Sequence, residues 1–144
     1  MTDSSEIGHR ILALDYGKKR IGVAVSDPFG NFAVGLDTLE THSKTLLETL
    51  GKLCQEYTVT TIVLGLPKHM KGHEGIEAEA VREFGALLSD TLRVSVIYLD
   101  ERLTSVIAQQ ELREQGVQGS RNKGLIDQAA ACRILQDYLN NKNR

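Results

Sequence analysis

The chain has 144 residues, 41% of them hydrophobic and 5% aromatic, with a formal net charge of -2. That length suits one domain with a single sizeable core, and the near-neutral charge excludes indiscriminate polyanion binding, so any contact with nucleic acid must come from locally clustered cations. No apolar run approaches the ~20 residues that cross a bilayer, and the polar start from Met1 to Arg10 lacks a signal-peptide core; a cytoplasmic protein with no membrane partner is expected, disordered over 1–9 and folded as one domain over 10–140.

Ile11 to Asp15 is a nearly continuous apolar run ending in an acid, as suits a central strand covered on both faces. Gly17, Lys18, Lys19 and Arg20 read as a tight turn into a second strand, Ile21 to Ser26. Asp27, Pro28 and Gly30 mark another turn before a weaker third strand within Asn31 to Leu39, giving an antiparallel meander.

From Ser43, a plausible N-cap, Leu46, Leu50, Leu53 and Tyr57 recur at helical spacing, and "VTTIVLGLP" supplies a fourth strand. Lys68 to Gly75 is polar, after which Ile76, Ala80, Phe84 and Leu87 mark the apolar face of a second helix. "VSVIYLDE" is the fifth strand, a third helix runs from about Thr104 to Gln115, and the Gly-rich, basic "GVQGSRNKG", read as a mobile loop, precedes a last helix from near Ile126 to Leu139. Parallel return of the chain requires helical crossovers, so the order implies an α/β fold: a mixed five-stranded sheet, three antiparallel strands then parallel ones, flanked by helices on both faces.

Three acids stand at element ends: Asp15 after strand one, Glu101 after strand five, and Asp127 at the start of the last helix. Each has a blander reading as a turn, surface or capping residue. Their placement favours a shared site. Ile11, Ala13 and Asp15 share one face of a central strand, and a parallel strand five brings Asp100 and Glu101 to the same sheet edge, where open α/β sheets bind ligands. Asp127 lies on a helical stripe with Ala130, Ala131 and Ile134, where an acid on a packing face needs a partner. Gathered carboxylates are costly without a compensating cation, and these hard oxygens suit Mg²⁺ or Mn²⁺ and hence phosphate-ester chemistry.

Basic residues neighbour the same positions: Lys18, Lys19 and Arg20 after Asp15, Lys68 and Lys71 after strand four, Arg102 after Glu101, Arg121 and Lys123 before Asp127. Singly, each reads as a solvated turn residue; together they could hold a nucleic-acid backbone beside the metal. His69 and His73 lack the further ligands of a zinc site. Tyr16 and Tyr98 read as packing residues. Cys54 and Cys132 lie far apart in helix-patterned segments and are expected to be free, buried, noncatalytic thiols.

The segments "ALDYGKKRIGVAVSD", "IVLGLPKHMKGHEG", "LDERLTS" and "NKGLIDQAAACRILQDYL" occur in an order that resembles the YqgF/RuvX family of Holliday junction resolvases and pre-16S rRNA nucleases. The resemblance implies a ribonuclease H-like fold, and it makes Asp15, Glu101 and Asp127 the active-site triad, with one or two metal ions and, by analogy, 5′-phosphate and 3′-hydroxyl products. One departure is His69, near which the family commonly has Asn. The implied substrate is a structured RNA precursor, by family analogy, or alternatively branched DNA; junction cutting would need a homodimer, and one sequence does not decide between monomer and dimer.

Two rivals belong to other classes. "DYGKKRIGVAVSD" also resembles the first phosphate loop of actin-like ATPases and sugar kinases, but those close two lobes over ATP and a single domain offers one. A noncatalytic RNA-binding or transcription or ribosome-assembly factor would need the basic residues and be indifferent to Asp15.

Overall fold

The apolar run ahead of Asp15 forms the central strand of a five-stranded sheet in the order β3-β2-β1-β4-β5. The computed structural model describes residues 9–66, 75–100 and 123–142. The strands are β1 (Arg10–Tyr16), β2 (Arg20–Ser26), β3 (Ala33–Glu40), β4 (Val59–Leu66) and β5 (Ser95–Asp100). β1, β2 and β3 pair antiparallel, whereas β4 runs parallel to β1 and β5 parallel to β4. The carboxyl ends of β1, β4 and β5 therefore share one edge. The described helices are α1 (Leu46–Glu56), α2 (Ile76–Leu92) and α3 (Lys123–Lys142); the helix expected over Thr104 to Gln115 and the basic loop before Lys123 lie outside the described residues.

Strand alternation sorts the core into two layers. Leu12, Leu14, Val23, Ile62 and Leu64 face α1 and α2 together with Leu50, Val81, Phe84 and Leu88. Ile11, Ala13, Ala24 and Val63 face α3 through Ala131, Ile134, Leu135 and Leu139. Helices thus cover both faces, as expected. Cys54 packs on the first layer and Cys132 on the second, so the sheet separates them. Both are free thiols, half-buried rather than buried, and burial pushes both above the ordinary thiol value.

Two sequence expectations need correction. The apolar face of α2 is Ala78, Val81, Phe84, Gly85 and Leu88, whereas Ile76 is 83% exposed and Leu87 46% exposed. The cause is close approach: Gly85 receives the Tyr98 hydroxyl and Leu64, and this draws the small-residue side of the helix onto the sheet. The N-cap position of α1 is Thr45 and not Ser43; Ser43, two residues before the cap, instead accepts a bond through Oγ from the Thr45 amide at 3.2 Å.

The β2–β3 turn is tied by Asp27, whose Oδ1 accepts from the Phe32 amide at 2.8 Å and the Asn31 amide at 2.7 Å. The bond from Phe32 is the foremost cause of a carboxyl pKa below the ordinary 3.8. A depressed folded-state pKa contributes stability above the unfolded value and loses it as pH falls through the folded one. Amide exchange at Asn31 and Phe32 should accordingly speed up, relative to the intrinsic rate, as pH drops below about 3.8. Asp27→Asn should flatten that dependence, which exchange measured by NMR would show; an unchanged profile would contradict the assignment.

Candidate active site

The geometry of the site begins with a glycine. In the β1–β2 ladder Asp15 is directly opposite Gly22, and directly opposed residues point to the same face with Cβ positions roughly 5 Å apart. That face is the one α3 covers, because Ala13 and Ala24, two residues from Asp15 and Gly22 respectively, pack against α3. A Cβ on Gly22 would collide with the main-chain carbonyl of Asp127. The Asp127 main chain therefore occupies the space a side chain opposite Asp15 would fill, so α3 brings Asp127, distant in sequence, to the same sheet face as Asp15 near the carboxyl end of β1.

Small residues recur wherever α3 meets the sheet. Gly35 on β3 makes room for the Gln128 side chain, whose Nε2 donates to the Leu36 carbonyl at 2.8 Å. Farther along, Gln136 accepts from the Ala33 amide at 3.0 Å and donates to the Asn31 carbonyl at 2.9 Å. The stripe Ala130, Ala131 and Ile134 is buried as the sequence indicated. Because α3 starts at Lys123, no acid falls in its first turn, and Asp127 is not a helix cap.

Arg20 lies two residues before Gly22 on the same face. Its Nε donates to Asp127 Oδ2 at 2.9 Å, with the side chains 33% and 23% exposed respectively. Lys18 and Lys19, in the turn just before, are exposed. Thr41, itself buried, clamps that turn: its Oγ1 donates to the Gly17 carbonyl at 2.7 Å and its amide to the Lys19 carbonyl at 3.0 Å. A cleft of about 480 Å³ opens beside Arg20, lined by Lys19, Thr38, Leu39, Glu40 and His42. Sequence reasoning passed over Thr41 and His42, since no local pattern ties the end of β3 to the turn before β2.

The structure thus brings together Asp15, Asp127, Arg20 and the Lys18–Lys19 turn. Glu101, Arg102, Lys68, Lys71 and Arg121, with His69 and His73, lie outside the described residues, and Lys123 marks only where α3 begins. Among the described residues no three His, Cys, Asp or Glu side chains gather. β5 ends at Asp100, paired with Leu66 at the shared edge. Alternation places Asp100 with Val96 and Tyr98 on the α1–α2 face, away from Asp15. The carboxylates of Asp15 and Asp127, carried on one sheet face, are hard oxygen donors of the kind that fit a divalent cation.

A five-stranded mixed sheet with acids at the carboxyl end of its central strand is a ribonuclease H-like arrangement. RuvC of T. thermophilus in complex with a Holliday junction substrate shares the fold at a TM-score of 0.56 and 11% identity, over 94% of this chain and 96% of that one. A second T. thermophilus RuvC structure aligns at 0.54 and 10% identity, covering 93% and 96%. The RuvX family profile, described as Holliday junction resolvase, matches residues 9–141. A protein of Clostridium botulinum (strain Eklund 17B) named "Putative pre-16S rRNA nuclease" is 47% identical over 131 residues, 90% of this chain and 96% of that protein. One of the same name from Lactococcus lactis is 46% identical over 133 residues, covering 90% and 93%. The chain belongs to the RuvX family and is a nuclease.

Proposed function

We propose that the protein is a divalent-metal-dependent endonuclease that hydrolyses phosphodiester bonds in a structured RNA precursor, at the 5′-end maturation of pre-16S rRNA. The observation that carries the reading is the juxtaposition of Asp15 and Asp127 across Gly22. Glu101, next in sequence to the last residue of β5, is the proposed third ligand. One or two Mg²⁺ or Mn²⁺ ions held by these carboxylates would polarise the scissile phosphate and lower the pKa of a bound water.

The chain's own residues then divide the remaining work. Asp15 and Asp127 present oxygens to the cation from two rigid elements, a central strand and a helix pinned to the sheet. Lys18 and Lys19, on a turn clamped by Thr41, face solvent and hold the substrate backbone, joined by Lys68, Lys71, Arg102, Arg121 and Lys123. Such contacts position the strand without reading its sequence, so specificity comes from the shape of a folded precursor.

Four-way DNA junctions are the second reading, favoured by the family's description and by the junction-bound RuvC of the same fold. Symmetric cutting of a junction requires two copies. The deciding experiment offers the pure protein a pre-16S rRNA 5′ fragment, a matched single-stranded RNA, an RNA duplex and a four-way DNA junction, each with Mg²⁺, Mn²⁺ or EDTA. Metal-dependent cleavage of the rRNA fragment ahead of the others is expected. Preference for the junction would transfer the assignment to recombination, and binding without any cleavage would point to the noncatalytic factor.

A further inference from the structure

The basic turn after β1 places three cations in a row, and sequence alone gives them one task. We propose that Arg20 is set apart from Lys18 and Lys19 as a positioning residue for Asp127: it fixes the direction of that carboxylate and does not hold substrate. The inference rests on reading Asp15 and Asp127 as metal ligands.

Burial separates the three first, since Lys18 and Lys19 are exposed while the Arg20 side chain is 33% exposed and already engaged. The donor is the second distinction. Nε, the nitrogen nearest the stem, makes the bond to Oδ2 at 2.9 Å, so the planar guanidinium lies against the carboxylate in a set orientation that a lysine ammonium does not reproduce. Arg20 also has a choice of partner, because Glu40 is its cross-strand neighbour on β3, yet its Nε is committed to Asp127.

The rest of the helix is already fixed. Its main chain rests on Gly22, and on the next residue the Gln128 side chain fills the hollow at Gly35 and bonds to the Leu36 carbonyl. What stays free at Asp127 is rotation of the side chain, and a hydrogen bond from a residue on the same sheet face removes it. The contact uses Oδ2, so the same carboxylate can present Oδ1 to a cation. The guanidinium charge also offsets the repulsion that the Asp127 carboxylate meets from any other carboxylate gathered at the site.

The test compares Arg20→Gln, Arg20→Lys and Lys19→Gln, each also in an Asp127→Asn background. Three quantities are read: kcat at saturating substrate and Mn²⁺, Mn²⁺ affinity by calorimetry without substrate, and affinity for an RNA strand in EDTA with its salt slope. Both Arg20 variants are expected to lower kcat and Mn²⁺ affinity by about 10- to 100-fold, the usual effect of removing a group that orients a metal ligand. They should leave RNA affinity and salt slope as in the parent, and should have no further effect once Asp127 is Asn. Lys19→Gln should weaken RNA binding and reduce its salt slope. If Arg20→Gln weakens RNA binding as Lys19→Gln does, or Arg20→Lys keeps the parent kcat and metal affinity, Arg20 is not a positioning residue. Arg20→Lys keeps charge and stem, so it carries the test should the Gln variant fold poorly. Undiminished cleavage and Mn²⁺ binding by Asp15→Asn and Asp127→Asn would overturn the metal-site reading itself, and the inference with it.

Discussion

Asp15→Asn is expected to lower metal-dependent cleavage by about 10³-fold while leaving the fold intact. A cation polarising a phosphoryl oxygen supplies several kcal/mol of transition-state stabilisation, and each ~1.4 kcal/mol is a factor of ten. The substitution preserves shape and removes the anionic charge, so the loss should fall on kcat/KM and on Mn²⁺ affinity, with metal-free RNA binding unchanged. Steady-state cleavage, calorimetry and a melting curve on the same preparation distinguish these effects. Equal turnover by parent and variant would remove Asp15 from the mechanism.

Gly22→Ala carries the second large effect, this time on structure. The added methyl would meet the Asp127 main chain, which belongs to a helix pinned to the sheet at that residue and the next. Overpacking a core costs typically ~1–3 kcal/mol, and main chain cannot rotate aside as a flexible side chain does, so a loss of about 3 kcal/mol in denaturant titration is expected. Activity should fall further than stability explains, since α3 can absorb the methyl only by lifting Asp127 away from Asp15. Gly51→Ala is the control: it lies within α1, where a Cβ would reach Leu92 at an ordinary 3.4 Å, and it should gain up to about 1 kcal/mol in helix propensity. A Gly22→Ala protein with parent stability and turnover would sink the account of how the two acids meet.

How far the sequence discloses this arrangement depends on the kind of information each part needs. The strands were legible because β1, β2 and β4 are runs of Ile, Leu and Val bounded by Gly, Pro and Asp, and the meander followed from the shortness of the turns. Asp127 was legible as inward-facing because it falls in phase with Ala130, Ala131 and Ile134. The buried face of α2 was not, because the residues that decide it are Ala78 and Gly85. A period counted on large side chains selects Ile76 and Leu87, which face outward. Arg20 looked like its lysine neighbours for a similar reason: its task is set by a residue at position 127, and no local pattern records a contact over that separation.

The site also depends on the order in which the chain is made. Asp15 is present in the first strand, but the sheet face around it is covered only when α3, the last 20-residue helix, docks on β1, β2 and β3. A partly synthesised chain lacking that helix has an uncovered apolar face on its sheet and only Asp15 of the proposed Asp15–Asp127 pair, so on the proposed function the site and the core are completed by one docking step.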